Sequence, residues 1–189
     1  MPIRDITFKS GNYYHIYNRG NNRQIIFFER KNYLLFLKLI QKHLINNNVE
    51  IVAYCLMPNH YHLLIYLNTD NLSDLMQAFI LSYTKRINKR FNRVGSLFQG
   101  RFQAIHVDTD EYLLYLSRYI HLNPVNANLV ENPQDWEFSS YSEYLATQDN
   151  RFIKSHRVLE HFSSINNYRL FVEFHQDKEI KIIKHLTLE

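Results

Sequence analysis

Residues 51–67, with the sequence IVAYCLMPNHYHLLIYL, constrain the fold of this chain more than any other stretch. Two runs of apolar, β-branched and aromatic residues flank a Pro-Asn pair, a combination typical of a tight turn between antiparallel strands. Because successive strand residues point to opposite faces, His60 and His62 are predicted to project side by side, with Tyr61 facing the other way. The two histidines are either half of a metal site or hydrogen-bonding residues on a sheet surface.

The periodicity of the rest of the chain predicts the elements that surround this hairpin. Aromatic or alternating runs are typical of strands, and apolar residues at helical spacing indicate helices with one buried face. The expected order is β-α-β-β-α-β-α, which predicts an α+β fold with a ferredoxin-like antiparallel sheet and helices on one face. The predicted strands and helices outside the hairpin are 12–18, 29–46, 71–91, 101–107 and 110–122.

Capping residues and a proline predict several boundaries. Ser73 is the expected N-cap of the second helix, and Thr109 is that of the third. Pro124 disfavours helical geometry in the residue before it, so the third helix is expected to end near Leu122. Residues 1–130 are therefore expected to form the core of the protein. Residues 131–189 are expected to be a C-terminal extension of short helices packed on that core.

Composition excludes several classes of protein. The single cysteine, Cys55, excludes an intrachain disulfide framework, and its apolar strand indicates a buried structural thiol in a reducing compartment. No apolar run approaches the ~18 residues of a membrane helix, and the first residues lack a signal-peptide core. We therefore expect a cytoplasmic protein with no membrane partner.

The distribution of charge favours nucleic acid as a partner. The formal net charge is only +4, but basic residues cluster at the end of the second helix, with no acidic residue between Asp74 and Asp108. A solvated helix end is one interpretation, and a phosphate-contacting surface is the favoured one. Tyrosines near the N-terminus can stack on unpaired bases, although packing is the usual role of a strand tyrosine. The predicted DNA contacts are Lys85, Arg86, Lys89, Arg90, Arg93, Arg101, Tyr13, Tyr14 and Tyr17.

The third helix carries a possible second half of the site. Tyr119 and Asn123 are four residues apart, so their side chains lie on one side of the helix end. An amide oxygen together with two imidazoles leaves coordination positions open, which suits Mg²⁺ or Mn²⁺ better than a closed zinc site. His121 is predicted to face elsewhere, because each residue advances about 100° around a helix. His15, on the first strand, is expected to be a structural or contact residue.

These residues and their surroundings resemble a known family. Two histidines separated by one large residue, followed in a later helix by a tyrosine and an amide, are similar to the motifs of the HUH single-tyrosine nucleases. The segments MPNHYHLL, GSLFQGRF and YIHLNPV resemble the IS200-like transposases, in particular the REP-associated tyrosine transposase branch. The resemblance runs from about Tyr13 to Tyr144. Asn123 stands where that branch has asparagine and the IS200/IS605 branch has glutamine.

The resemblance implies a metal-dependent endonuclease and strand transferase acting on single-stranded DNA beside hairpins. Tyr119 would attack a backbone phosphate, which leaves a 5′-phosphotyrosine link and a free 3′-OH. His60, His62 and Asn123 would hold Mg²⁺ or Mn²⁺ there. A monomer in which Tyr119 acts in cis is favoured over a homodimer that exchanges the tyrosine helix between sites.

Two other functions are compatible with the sequence. A regulator derived from such a transposase would bind hairpin DNA without cutting it, although the presence of all three ligands and Tyr119 argues against decay of the site. A hydrolytic enzyme would use His60 and His62 to bind zinc and activate water. No third histidine, cysteine or carboxylate lies next to them, which weighs against zinc.

Overall fold

The structure of the protein is a computed structural model that describes residues 6–146 and 152–174. Its strands are β1 (Tyr13–Arg19), β2 (Val49–Met57), β3 (His60–Leu67) and β4 (Gln103–Val107). Its helices are α1 (Arg30–His43), α2 (Leu72–Arg90), α3 (Asp110–Asn126), α4 (Tyr141–Leu145), α5 (His156–Leu159) and α6 (Ile165–Phe174). The strands form one antiparallel sheet in the order β2-β3-β1-β4. The predicted ferredoxin-like α+β fold is confirmed.

The two central strands, β3 and β1, bring the first functional side chains together. Opposite His62 lie Cys55 of β2 and Tyr17 of β1, and opposite His60 lies Arg19 of β1. Residues directly opposite each other in an antiparallel pair project from the same face. One face of the sheet, here called the histidine face, therefore carries side chains from three strands around the histidine pair.

The helices divide between the two faces of the sheet. The fully buried Tyr61 points away from the histidine face and packs on Phe36 of α1, with 5.0 Å between ring centroids. Phe36 in turn lies 4.9 Å from the ring of Tyr83 on α2. The expectation of helices on one face thus holds for α1 and α2. The expectation does not hold for α3, which lies on the histidine face, where the ring of Tyr119 contacts that of His62. Helix α3 follows β4 and connects no two strands of this sheet, so the rule on crossover handedness does not fix its side.

Helix α3 begins as predicted but extends further than predicted. The Thr109 hydroxyl accepts a hydrogen bond from the backbone N–H of Tyr112 at 3.2 Å, which confirms the N-cap. The predicted end near Leu122 is wrong, since the helix continues through Pro124 to Asn126. Pro124 lies in the last turn, so it removes one hydrogen bond close to where the helix would end in any case.

The other helix boundaries differ from the predictions by a few residues. The N-cap of α2 is Asn71, so the predicted cap Ser73 lies inside the first turn of the helix. Helix α1 ends at His43, and residues 45–47 form a separate 3₁₀ turn before β2. Helix ends fray, so the terminal residues are the least fixed part of a helix.

The described part of the C-terminal extension covers the outer edge of β2. The backbone N–H of Leu56 donates to the carbonyl of Phe138 at 2.9 Å, and Ser140 N–H donates to Tyr54 at 3.0 Å. Farther along the strand, Lys154 N–H donates to the carbonyl of Ile51 at 2.8 Å. None of the helices within residues 6–146 and 152–174 combines the length and apolarity needed to cross a bilayer.

The structure explains the expected inertness of Cys55. The thiol is fully buried, and this burial raises its pKa well above the ordinary value. We expect an aromatic disulfide reagent to leave the folded protein unmodified and to label one thiol after unfolding in guanidinium. A Ser73→Cys variant, with its second thiol at an exposed position of α2, provides the control and should react at once. Rapid labelling of the folded wild type would contradict the structure.

Candidate active site

The centre of the candidate site is the pair of histidines at the start of β3. Their rings lie 5.1 Å apart, centroid to centroid, and project from the histidine face as predicted. His62 is completely buried, whereas His60 is partly exposed beside the turn between β2 and β3. The hairpin thus presents one imidazole from the interior and one from the rim of a cleft.

Helix α3 adds two side chains from the same polypeptide. The ring of Tyr119 lies 5.4 Å from that of His62 at a nearly perpendicular angle. One turn later, the side-chain oxygen of Asn123 lies 3.4 Å from Nε2 of His60. Asn123 also donates from its side-chain nitrogen to the carbonyl of Tyr119 at 2.9 Å, which fixes the direction of its oxygen. The structure therefore brings together all four residues that the sequence nominated for catalysis and metal binding.

Hydrogen bonds orient both imidazoles. Nδ1 of His60 lies 2.7 Å from Oδ1 of Asn59, whose side-chain nitrogen bonds to the carbonyl of Arg23. An amide oxygen is only an acceptor, so Nδ1 of His60 donates to Asn59 when it carries the ring proton, and Nε2 then offers a lone pair on the side of Asn123. Nδ1 of His62 lies 2.9 Å from Nε2 of His15. His15 was predicted to be a structural or contact residue, and this bond makes it the residue that orients His62.

Nitrogen and oxygen atoms suited to bind a cation lie on this face. Nε2 of His60 and the side-chain oxygen of Asn123 lie 3.4 Å apart, and Nε2 of His62 is buried with no hydrogen-bond partner. An unpaired buried polar atom is costly, and a bound cation would satisfy Nε2 of His62. The donor set therefore fits a divalent ion held by two nitrogens and one amide oxygen.

The buried histidines are neutral in the folded protein. Burial lowers the pKa of His15 to about 3. Burial likewise lowers the pKa of His62 well below its ordinary value, and the neighbouring His15 and His60 add to that effect. Neutral imidazole is the form that ligates metal ions. Within the described residues, no three His, Cys, Asp or Glu side chains form a potential metal site, so a closed zinc site of that type is absent there.

A cleft of about 630 Å³ opens over Tyr119, His60 and Asn123. Two arginines that the sequence analysis did not nominate, Arg19 and Arg23, line it. They flank a turn at Gly20, where an added Cβ would lie 1.9 Å from a backbone oxygen, so this tight turn requires glycine. The signal that could have identified Arg19 is its position opposite His60, but that register depends on pairing between distant strands.

The predicted basic cluster lies on α2 and in the loop that follows it, and none of its residues lines the cleft. This end of α2 is nevertheless close to the β1–α1 connection, since Arg90 lies 3.6 Å from Glu29. The loop then returns beside the arginine turn, where Asn21 N–H donates to the carbonyl of Leu97. The basic residues predicted to contact DNA in this region are Lys85, Arg86, Lys89, Arg90, Arg93 and Arg101.

The three N-terminal tyrosines have different environments. Tyr14 is 2% exposed and packs on Phe8 in the core, so the base-stacking role predicted for it is wrong. Tyr13 packs on Tyr66, 4.9 Å away. Tyr17 is half-buried at the site, 5.9 Å from the ring of His62, and burial raises its pKa. Of the three, Tyr17 lies beside the candidate catalytic residues.

Comparisons with known proteins identify the family to which this chain is similar. The sequence model of the IS200-like transposase family matches residues 8–123. A protein of Haemophilus influenzae assigned as a REP-associated tyrosine transposase is 33% identical over 103 aligned residues, in an alignment that covers 49% of this chain and 58% of that protein. The chain therefore spans less than two thirds of that relative.

Two solved structures are similar to this one. A REP-associated tyrosine transposase bound to a REP hairpin superposes with a TM-score of 0.67 at 18% identity, covering 82% of this chain and 98% of that one. A protein of Deinococcus radiodurans assigned as a transposase gives a TM-score of 0.42 at 19% identity, covering 64% of this chain and 95% of that one. At 18% identity, the first likeness establishes a shared fold.

Proposed function

Because the chain belongs to the IS200-like transposase family, we propose that it is a metal-dependent single-strand DNA endonuclease and strand transferase acting beside DNA hairpins. The observation that carries this proposal is the convergence of Tyr119 with His60, His62 and Asn123 on the histidine face. A phenol next to neutral nitrogen and amide-oxygen ligands supplies both a nucleophile and a place for an electrophilic ion.

The three proposed ligands are His60, His62 and Asn123, which would hold Mg²⁺ or Mn²⁺. The ion, when bound, supplies Lewis-acid polarisation of the scissile phosphate and helps to orient it. His15 and Asn59 hold the two rings so that each Nε2 can be presented unprotonated. The backbone carbonyl of Tyr119 accepts a hydrogen bond from the side-chain nitrogen of Asn123. The backbone of the proposed nucleophile is therefore bonded directly to a proposed metal ligand.

In the proposed reaction, the phenolic oxygen of Tyr119 releases its proton to solvent and forms a bond to a backbone phosphorus of single-stranded DNA. The bond from that phosphorus to the 3′-oxygen breaks, and the 3′-oxygen leaves as a hydroxyl after gaining a proton. The product is a 5′-phosphotyrosine link that conserves the phosphodiester's energy. Another 3′-OH can therefore reverse the reaction without ATP, which joins a different strand.

The proposed route for DNA follows basic residues towards the cleft. It runs from the end of α2 through the loop 93–101 to Arg19 and Arg23. These two arginines line the cleft that contains Tyr119, and we propose that they contact phosphates flanking the scissile one. The α2 end of the path is the proposed contact for the hairpin stem.

Removing the nucleophile should abolish covalent chemistry and preserve DNA binding. We expect wild-type protein with Mn²⁺ and a labelled single strand carrying a hairpin to give a protein-linked band on a denaturing gel. Tyr119→Phe should give none, because it lacks the attacking oxygen. The control is Tyr115→Phe, which removes a hydroxyl from the same helix at a tyrosine that packs on Phe171.

The outcomes separate the candidate functions. A native-gel shift without any covalent band, across hairpins drawn from the whole source genome, would favour the non-cleaving regulator. Cleavage that survives Tyr119→Phe would point to hydrolysis by an activated water and overturn the proposed nucleophile.

Asn123→Ala is expected to weaken Mn²⁺ binding by about tenfold or more, since it removes one of three protein ligands. Paramagnetic resonance of free Mn²⁺ measures this directly, without DNA. Asn126→Ala is the matched control, because Asn126 is an exposed amide that lines the same cleft on the same helix. Equal binding by both variants and the wild type would remove Asn123 from the metal site.

Arg23→Ala is expected to weaken binding to single-stranded hairpin DNA by about fivefold and to reduce the dependence of log Kd on log salt by about one. Both effects follow from losing one phosphate contact. The control is Lys38→Ala, which removes an exposed positive charge from α1. Fluorescence anisotropy at several salt concentrations measures both quantities. Identical losses in the two variants would indicate a net-charge effect rather than a path through the cleft.

A further inference from the structure

The side of α3 that faces away from the catalytic cleft is buried against the C-terminal extension. It carries three buried polar residues, Ser117, Arg118 and His121. Nε of Arg118 donates to the carbonyls of Phe171 and Val172 in α6, at 2.8 and 2.9 Å. The helix that carries the proposed nucleophile is therefore anchored to an element outside the ferredoxin-like core.

His121 makes the most specific of these contacts. Its Nδ1 lies 2.7 Å from the hydroxyl of Tyr168 on α6, and its Nε2 lies 2.8 Å from the hydroxyl of Ser140. The Ser140 hydroxyl also lies 3.2 Å from the carbonyl oxygen of Tyr54, and the Tyr168 hydroxyl lies 3.3 Å from that of Ser117. Both ring nitrogens of His121 are therefore used, one with each hydroxyl, whichever nitrogen carries the proton.

Ser140 extends this network to the sheet. Its hydroxyl also accepts a hydrogen bond from the backbone N–H of Tyr54 at 2.9 Å, and its own N–H donates to the Tyr54 carbonyl. Tyr54 belongs to β2, which pairs directly with the histidine strand β3. A continuous chain of hydrogen bonds thus connects the strand layer that positions the histidines with the helix that positions Tyr119.

The position of His121 along α3 links this hydrogen-bond network to the turn that carries Tyr119 and Asn123. His121 lies two residues after Tyr119 and two before Asn123, so its ring is on the opposite side of the same turn. Pro124 cannot donate a backbone hydrogen bond to Ile120, so this turn has one internal bond fewer than an uninterrupted helix. External anchors therefore contribute more to its orientation than they would elsewhere in the helix.

We propose that His121 is a positioning residue, held between Tyr168 and Ser140 of the C-terminal extension, which fixes the rotation of α3 so that Tyr119 acts in cis on the histidines of its own chain. The C-terminal extension then contributes to the active site by orienting α3. This inference rests on the proposed function, because Tyr119 must be the nucleophile for its position to affect the reaction.

The test compares two tyrosines of one aromatic cluster. Tyr168→Phe removes the hydroxyl that bonds to His121 at 2.7 Å and to Ser117 at 3.3 Å, and it keeps the ring. Tyr144→Phe is the matched control: Tyr144 is equally buried and lies 4.7 Å from the His121 ring, but its hydroxyl donates to the carbonyl of Val52 in β2 at 2.8 Å. His121→Leu, which removes both of the ring's hydrogen bonds, is the stronger variant. Each is tested as the full-length chain.

Three measurements distinguish positioning from general destabilisation. With saturating hairpin substrate and Mn²⁺, the rate of covalent-adduct formation should fall about tenfold in Tyr168→Phe and further in His121→Leu. Hairpin affinity should change less than about twofold, because the phosphate contacts lie elsewhere. In the absence of DNA and metal, amide hydrogen exchange across 118–126 should accelerate in these two variants, and Tyr144→Phe should resemble the wild type.

Each outcome has a definite meaning. Equal adduct rates and equal exchange in Tyr168→Phe and Tyr144→Phe, with both proteins folded, would overturn the positioning role. Rates that fall in parallel with thermal stability in all three variants would also overturn it. If the wild type forms no adduct and the exchange difference is still present, the proposed function fails while the anchoring of α3 by His121 stands.

Discussion

The alternation of side chains along β3 is the constraint on which this structure depends. Tyr61 projects into the aromatic core beneath α1 and α2, and its two neighbours project to the opposite face. The burial that fixes Tyr61 therefore also fixes the direction of His60 and His62, because a slip of one residue would exchange the two faces. Burial of an apolar side chain on one face of β3 therefore determines which side chains are presented on the opposite face.

The site built on this strand combines rigid and adjustable parts. Its imidazoles lie on a central strand and are each oriented by a side-chain partner, so their geometry follows from the sheet. Tyr119 and Asn123 lie on a helix that belongs to no crossover connection and that touches the sheet through its own side chains. Correct assembly thus depends on packing between two layers, and the polar contacts of α3 with the extension are part of that packing.

The sequence predicted the elements whose signals are local and missed those that depend on pairing between distant segments. The hairpin, the Thr109 cap and the common side of Tyr119 and Asn123 follow from short periodicities, and the structure contains all three. The cleft residues Arg19 and Arg23 could not be nominated, because Arg19 reaches the cleft only through the register between β1 and β3, and Arg23 lies in the turn that follows it. The end of α3 was placed too early, since a proline in a final turn costs little.

The cover that the extension provides for β2 determines where this chain can be shortened. Its backbone groups satisfy those of β2 at Ile51, Tyr54 and Leu56, so a fragment that stopped at the family's matched boundary would present an unpaired strand to solvent. Unpaired strands of apolar composition recruit other chains and aggregate. A protein engineer who wants a smaller version should therefore trim loops and keep the segment that pairs with this strand, or supply a substitute edge in its place.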